Sequence, residues 1–236
     1  VITTAYTFTA TAEVIRYLGA DPILVDIDPN TFNIDPDLLR QEIAKHDNVK
    51  AIMPVHFAGQ ACEMDEILEI AKEFNVKVVE DAAHALPTTY KGKVVGSISD
   101  ITVYSFYVTK TIATGEGGMI TTENPDYLAR MKTMRLHGIN RDVFDRYTSD
   151  KPSWFYEVVE PGYKYNMTDV AASIGIHQLK KACAFQQRRA YIAEKYNEAF
   201  KDLPLKTPFV KRPEDTHAWH LYVLQLDLES MTVDRD

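Results

Sequence analysis

Cysteine is scarce. The 236-residue chain has two, Cys62 and Cys183, with no spacing that would hold a metal, so no metal site is expected. They read as reduced thiols of a cytoplasmic protein. No apolar run approaches the roughly 18 residues that a membrane-spanning helix needs. Val1-Ile2-Thr3-Thr4-Ala5-Tyr6 has no basic leader ahead of an apolar stretch, so it is not a signal peptide. Internal repeats and low-complexity tracts are lacking as well. A net charge of -8 argues against non-specific nucleic-acid binding, which needs a basic surface. It leaves room for an anionic small molecule, because phosphate sites are built locally from amides and a few polar side chains.

What remains is an ordinary globular composition, 45% apolar and 25% charged. Short apolar runs alternate with amphipathic ones. Helices are predicted over 11–18, closed by Gly19, from Asp35-Pro36 to about Lys45, over 64–74 and over 125–137. Strands are predicted over 22–27, 51–56, 76–81, 101–106, 118–122 and 222–228. This alternation predicts an α/β fold: a mostly parallel sheet with helices on both faces and ligands at the C-terminal strand ends. Residues 139–163 read as a long irregular, functional or mobile segment. From Thr168 a helical pattern runs to about Phe200 with a break near Ala182, long enough to join a large domain over 1–185 to the start of a smaller one over 186–236. Both ends are abrupt, which reads as a piece of a longer chain.

Two residues stand out chemically. Asp81 ends a strand, where a carboxylate faces a ligand crevice; the other reading is a helix N-cap. Lys110 follows a strand in a Gly/Thr loop. A lysine there can form a Schiff base if its proton affinity is lowered, although most loop lysines are solvated surface charges. Ser105 and the loop amides can hold a phosphate. Gly115-Glu-Gly-Gly118 also reads as a tight hairpin turn.

Phe8, Glu80-Asp-Ala-Ala-His84, Ser105-Phe106, Thr109-Lys110 and Gly115-Glu-Gly-Gly118 follow one another in an order that resembles the DegT–StrS sugar aminotransferases. These are fold-type I enzymes dependent on pyridoxal 5'-phosphate. Pro54-Val-His-Phe-Ala-Gly-Gln60, Leu136-His-Gly138 and Gly162-Tyr-Lys-Tyr-Asn-Met-Thr-Asp169 extend the likeness along nearly the whole chain. By this resemblance Lys110 carries the cofactor and shuttles the proton, Asp81 pairs with the pyridine nitrogen and His84 sits near the phenolic oxygen. Ser105 binds the phosphate and Phe8 stacks on the ring. Asn166 reaches the cofactor of a second subunit, so a homodimer shares its sites. His217 and Tyr107 are the candidate substrate contacts. Bland readings stand beside these: core packing for Phe8 and His84, a local cap for Asn166, and a structural histidine beside Trp219 for His217. The family's N-terminal Gly-Thr phosphate segment and most of its small domain lie outside this chain. Thr111 replaces the Asn that often follows the lysine.

The resemblance implies transfer of an amino group, from L-glutamate, to the C4 ketone of a nucleotide-linked sugar. Gly162-Tyr-Lys-Tyr-Asn166, Leu136-His-Gly-Ile139, Asp142-Val-Phe-Asp-Arg146 and His217-Ala-Trp-His-Leu-Tyr222 are similar to the UDP-4-keto-pentose aminotransferases of lipid A modification, with enzymes acting on UDP-4-keto-hexoses close by. Sugar dehydratases of the family carry His in place of the lysine, and a non-catalytic regulatory relative would show a degraded site. Lys110, Asp81, His84 and Ser105 argue against both.

Overall fold

The computed structural model describes residues 1–140 and 156–230. The Asp142–Arg146 motif lies outside them. A six-stranded sheet organises the chain: β1 (Ile2–Thr4), β2 (Ile23–Val25), β3 (Ala51–Met53), β4 (Lys77–Asp81), β7 (Ile101–Ser105) and β8 (Gly118–Thr121), in the order β2-β1-β3-β4-β7-β8. The first five run parallel and β8 is antiparallel to β7. A small hairpin, β5 (Thr89–Tyr90) with β6 (Lys93–Val94), lies between β4 and β7 in the chain.

Helix ends follow local chemistry. In α1 (Ala10–Tyr17) the stop is set by Gly19 at φ 72, a left-handed position that glycine adopts without a steric penalty. For α2 (Pro36–Ile43), the Asp35 side chain accepts from Asp37 and Leu38 N–H at 2.8 and 3.2 Å, a cap contributing about 1 kcal/mol. In α4 (Pro125–Met134), Asn124 does the same for Asp126 and Tyr127. α3 (Met64–Glu73) carries its apolar residues at helical spacing.

Ile2, Ile52 and Val78 from the strands pack with Leu39 and Ile43 of α2 and Ile67 and Ile70 of α3, all fully or almost fully buried. The chain moves one way along the sheet from β1 to β2 and the other way from β2 to β3. Right-handed crossovers therefore put α1 on the face opposite α2 and α3. The reversal opens a crevice beyond the carboxyl ends of β1 and β3, next to those of β4 and β7. The sequence places Tyr6, His56, Asp81 and Ser105 there.

After the sheet come α5 (Asp169–Leu179), capped by Thr168 onto Ala171 N–H at 3.3 Å, and α6 (Ala182–Phe200). The break near Ala182 is present, and α6 runs unbroken through residue 185. The strand predicted over 222–228 is a correction. Only Gln225–Leu226 (β10) is paired, with Leu205–Lys206 (β9). The preceding residues spend their backbone groups on the body of the molecule: Ala218 N–H on the Gly59 carbonyl and His220 N–H on the Ala58 carbonyl. Residues 208–222 thus form a strap. Asp215 pins it by accepting from Lys91 N–H at 2.6 Å, Gly92 N–H at 2.9 Å and the Thr89 hydroxyl at 3.1 Å. Arg212 pairs with Glu63 at the same edge.

Candidate active site

Asp81 is the last residue of β4. Its Oδ2 accepts from the Thr11 hydroxyl at 2.8 Å, and Thr11 in turn shares a 2.8 Å contact with the Thr7 hydroxyl. Its Oδ1 accepts from Ala83 N–H at 3.0 Å. A turn follows, not a helix, so Asp81 is not an N-cap. The carboxylate is fixed at the crevice by hydroxyl and amide donors.

Lys110 lies on the connection between β7 and β8. Ser105 pairs with Gly118, so Gly115–Gly118 is no tight turn by itself; it closes a loop over residues 106–117. Lys110 N–H donates to the Tyr107 carbonyl at 2.9 Å. Thr111 and Ile112 are buried and anchor the loop, and the Arg189 guanidinium on α6 donates to the Thr111 carbonyl at 2.8 Å. Burial pushes the Lys110 amine below the ordinary lysine pKa, while the Asp81 charge pulls it back up. That direction favours a population of free amine, the form that attacks a carbonyl.

His84 faces the same cluster. Its Nδ1 accepts from Ala58 N–H at 3.3 Å, so its proton sits on Nε2. Burial, and then the His220 and Lys110 charges, push it down to about 3. His220 stands against it, ring centroids 4.3 Å apart, and is pushed down to about 4 by burial, Lys110 and Arg189. Both rings are neutral near pH 7.

The other expected residues are placed as follows. Ser105 Oγ accepts from Tyr107 N–H at 3.3 Å, and Tyr107 itself is exposed. Phe8 is 73% exposed in the turn after β1, which rules out core packing. Tyr6, itself partly exposed, is the aromatic of that turn with ring partners, 4.9 Å from Phe57 and 5.5 Å from Phe32. Asn166 lies at another cleft, of about 460 Å³, beside Thr114, Gly117 and Thr168, where its Oδ1 accepts from Lys164 at 2.6 Å. His217 is buried and stacked 4.1 Å from Trp219, with Nδ1 accepting from Trp219 N–H at 2.9 Å. Burial pushes it down to about 3.

Thr11, His220 and Arg189 were not singled out from the sequence. For His220 a signal existed, since it is the second histidine of His217-Ala-Trp-His220. Thr11 and Arg189 have none, being ordinary residues on helices.

Among the described residues no cluster of His, Cys, Asp or Glu is placed to hold a metal, and no helix is long and apolar enough to cross a membrane. A carboxylate, a lysine of lowered proton affinity, a neutral imidazole and a hydroxyl- and amide-rich loop converge instead. That donor set could hold pyridoxal phosphate, with Asp81 available to the ring nitrogen, Lys110 to the aldehyde, His84 Nε2–H to the phenolic oxygen, and Ser105 and its loop to the phosphate.

Comparison with known proteins agrees. The DegT/DnrJ/EryC1/StrS aminotransferase family model matches residues 1–236. The chain is 49% identical over its full length to the spore coat polysaccharide biosynthesis protein SpsC of Bacillus subtilis, covering 60% of that protein. It is 53% identical to protein MJ1066 of Methanocaldococcus jannaschii, again over its full length and 60% of the relative. Among solved structures, the putative sugar aminotransferase Spr1654 of Streptococcus pneumoniae in its PMP form superposes with a TM-score of 0.86 at 35% identity, over 96% of this chain and 61% of that one. PseC of Helicobacter pylori, an aminotransferase of pseudoaminic acid biosynthesis, superposes with a TM-score of 0.87 at 31% identity, over 97% of this chain and 58% of that one. The chain thus spans about three-fifths of the length of these relatives. Sheet, crevice and full-length match together place the chain in the DegT/DnrJ/EryC1/StrS aminotransferase family, whose cofactor is pyridoxal phosphate.

Proposed function

We propose that the protein moves an amino group from L-glutamate to the C4 ketone of a nucleotide-linked sugar, a UDP-sugar first among them, for a cell-envelope polysaccharide or lipid A. The observation that carries this reading is the convergence of Lys110, Asp81 and His84 on adjacent strand ends. The polysaccharide role printed for SpsC and the sugar aminotransferase neighbours support the substrate class.

Bound pyridoxal phosphate supplies an electron-withdrawing ring that stabilises negative charge on the carbon bearing the amine. Asp81 would keep the ring nitrogen protonated by its charge. His84 donates from Nε2. Lys110 would move the proton at Cα of glutamate and, in the second half-reaction, at C4 of the sugar. Holding the nucleotide at a distance from the chemistry keeps that ketone near the amine. Tyr107 is proposed as a sugar contact because its exposed ring adjoins the Lys110 turn. His217 is proposed to act on the substrate indirectly, through the fold of the strap.

The working form is proposed to be a homodimer with shared sites, each Asn166 serving the other copy's cofactor. In support, α5 has no buried residue: Val170, Ile174, Ile176 and Leu179 on it are exposed, and the first two line the Asn166 cleft.

The test is a Lys110→Ala variant of the full-length protein, which is expected to lose the visible band of lysine-bound pyridoxal phosphate. A normal band in that variant sinks the assignment. Wild-type protein offered UDP-, GDP- and dTDP-linked 4-keto-sugars with glutamate should yield an aminated sugar. A deoxygenated product would mean a dehydratase instead.

A further inference from the structure

Glu80 precedes Asp81 on β4 and its side chain is fully buried. Its carboxylate accepts three hydrogen bonds: from His56 Nε2 at 2.7 Å, the Ser99 hydroxyl at 2.7 Å and the Thr102 hydroxyl at 2.8 Å. Burial opposes the charge, and these donors, His56 first, outweigh it and keep the carboxyl ionised. His56 is fully buried too. Burial lowers its proton affinity, and Cys62 and then Glu80 raise it, but Cys62 N–H points at Nδ1 from 3.0 Å. That leaves one proton on the ring, and Glu80 fixes it on Nε2.

His56 opens a tight turn over Phe57–Gly59 in which Ala58 adopts φ 56. Such a conformation is costly for a non-glycine residue, so its surroundings must enforce it. His56 N–H also donates to the Asp81 carbonyl at 3.1 Å, and the Asn33 side chain accepts from Phe57 N–H at 2.9 Å. Ala58 then bonds to both histidines of the site, to the ring of one and to the backbone of the other. Its N–H donates to His84 Nδ1, and its carbonyl accepts from His220 N–H at 2.9 Å.

We propose that the buried Glu80–His56 pair is a positioning device: it fixes the Ala58 backbone, and through it holds His84 as the tautomer protonated on Nε2. Neither residue touches the reacting atoms. The pair acts from inside the sheet on the group that faces the crevice. Only its consequence for turnover rests on the aminotransferase reading, since the tautomer of His84 is a property of the protein alone.

The experiment is ¹⁵N correlation spectroscopy of the imidazoles in full-length protein free of cofactor. Wild type should show His84 as a single Nε2–H tautomer. Glu80→Ala should convert it to an averaged mixture. Glu80→Gln, whose amide oxygen still accepts from His56, should restore the single form. Should Glu80→Ala fail to fold, His56→Leu breaks the pair while conserving bulk and should give the same mixture. A single wild-type tautomer in either folded variant overturns the proposal, and so does a Glu80→Gln protein that behaves like Glu80→Ala. In the holoenzyme the same loss should lower kcat by up to about 100-fold with KM little changed, as misplacement of a reacting group does. If wild-type protein binds no pyridoxal phosphate while the tautomer results hold, the function assignment falls and the positioning role stands.

Discussion

The Thr11 hydroxyl donates to Asp81 Oδ2 at 2.8 Å across 70 residues of sequence, tying α1 to the end of β4. Thr11→Val keeps the shape and removes the donor. A hydrogen bond to a charged group contributes roughly 1.5–3 kcal/mol, so the urea midpoint should fall with m unchanged. Retention of pyridoxal phosphate on dilution should weaken as well. Unaltered stability and retention would show that Asp81 is held by other groups.

Acid should destabilise the protein well above the carboxylate range. His84 and His217 are held down to about 3 and His220 to about 4, against an ordinary value near 6.5. Between those values the unfolded chain binds protons that the folded one refuses, so stability is fully present above about 6.5 and drains as pH falls. For the enclosed His217 the slope is up to about 1.4 kcal/mol per pH unit. His217→Asn keeps an acceptor for Trp219 N–H and should flatten the curve of unfolding free energy between pH 7 and 5. An unchanged curve would mean that the buried ring is already charged.

Asp215 holds three donors of the β5–β6 hairpin region, so Asp215→Ala should release the strap. About 1–3 kcal/mol is expected, with faster amide exchange confined to residues 208–222. Exchange that quickens equally in β3 and β4 would contradict this.

Gly59 sits at φ 101, where a Cβ would lie 2.8 Å from the Ala218 Cβ and 3.0 Å from the His84 carbonyl. Gly59→Ala should cost about 1–3 kcal/mol. Adding Ala218→Gly should return part of that loss, a non-additivity readable in a double-mutant cycle. Strict additivity would place the whole cost in the backbone.

The sheet was legible because its chemistry is local. Asp35-Pro36 and Gly19 mark helix ends by capping and by a left-handed φ, and the strand runs carry their own periodicity. Asp81, Ser105 and Lys110 were legible for the same reason, since they end or follow strands that point to one edge, whereas His84 was legible only through the family resemblance. The strap was not. Tyr222–Leu228 alternates like a strand, yet no ladder is offered along most of it, and distant partners such as Ala58 take the backbone groups upstream. His220 was missed because its role depends on a ring 136 positions earlier, His84. Thr11 and Arg189 carry no local signature at all. The Glu80–His56 pair could be read only as two polar letters in apolar strands.

The strap gives the site an order in time as well as a shape. A ribosome adds about 5–20 residues each second, so the roughly one hundred residues between Lys110 and His220 take on the order of ten seconds to appear. Lys110, Asp81 and Ser105 are therefore translated well before the segment whose His220 packs on His84. The part of the crevice built on the sheet is older in every molecule than the strap that packs against it.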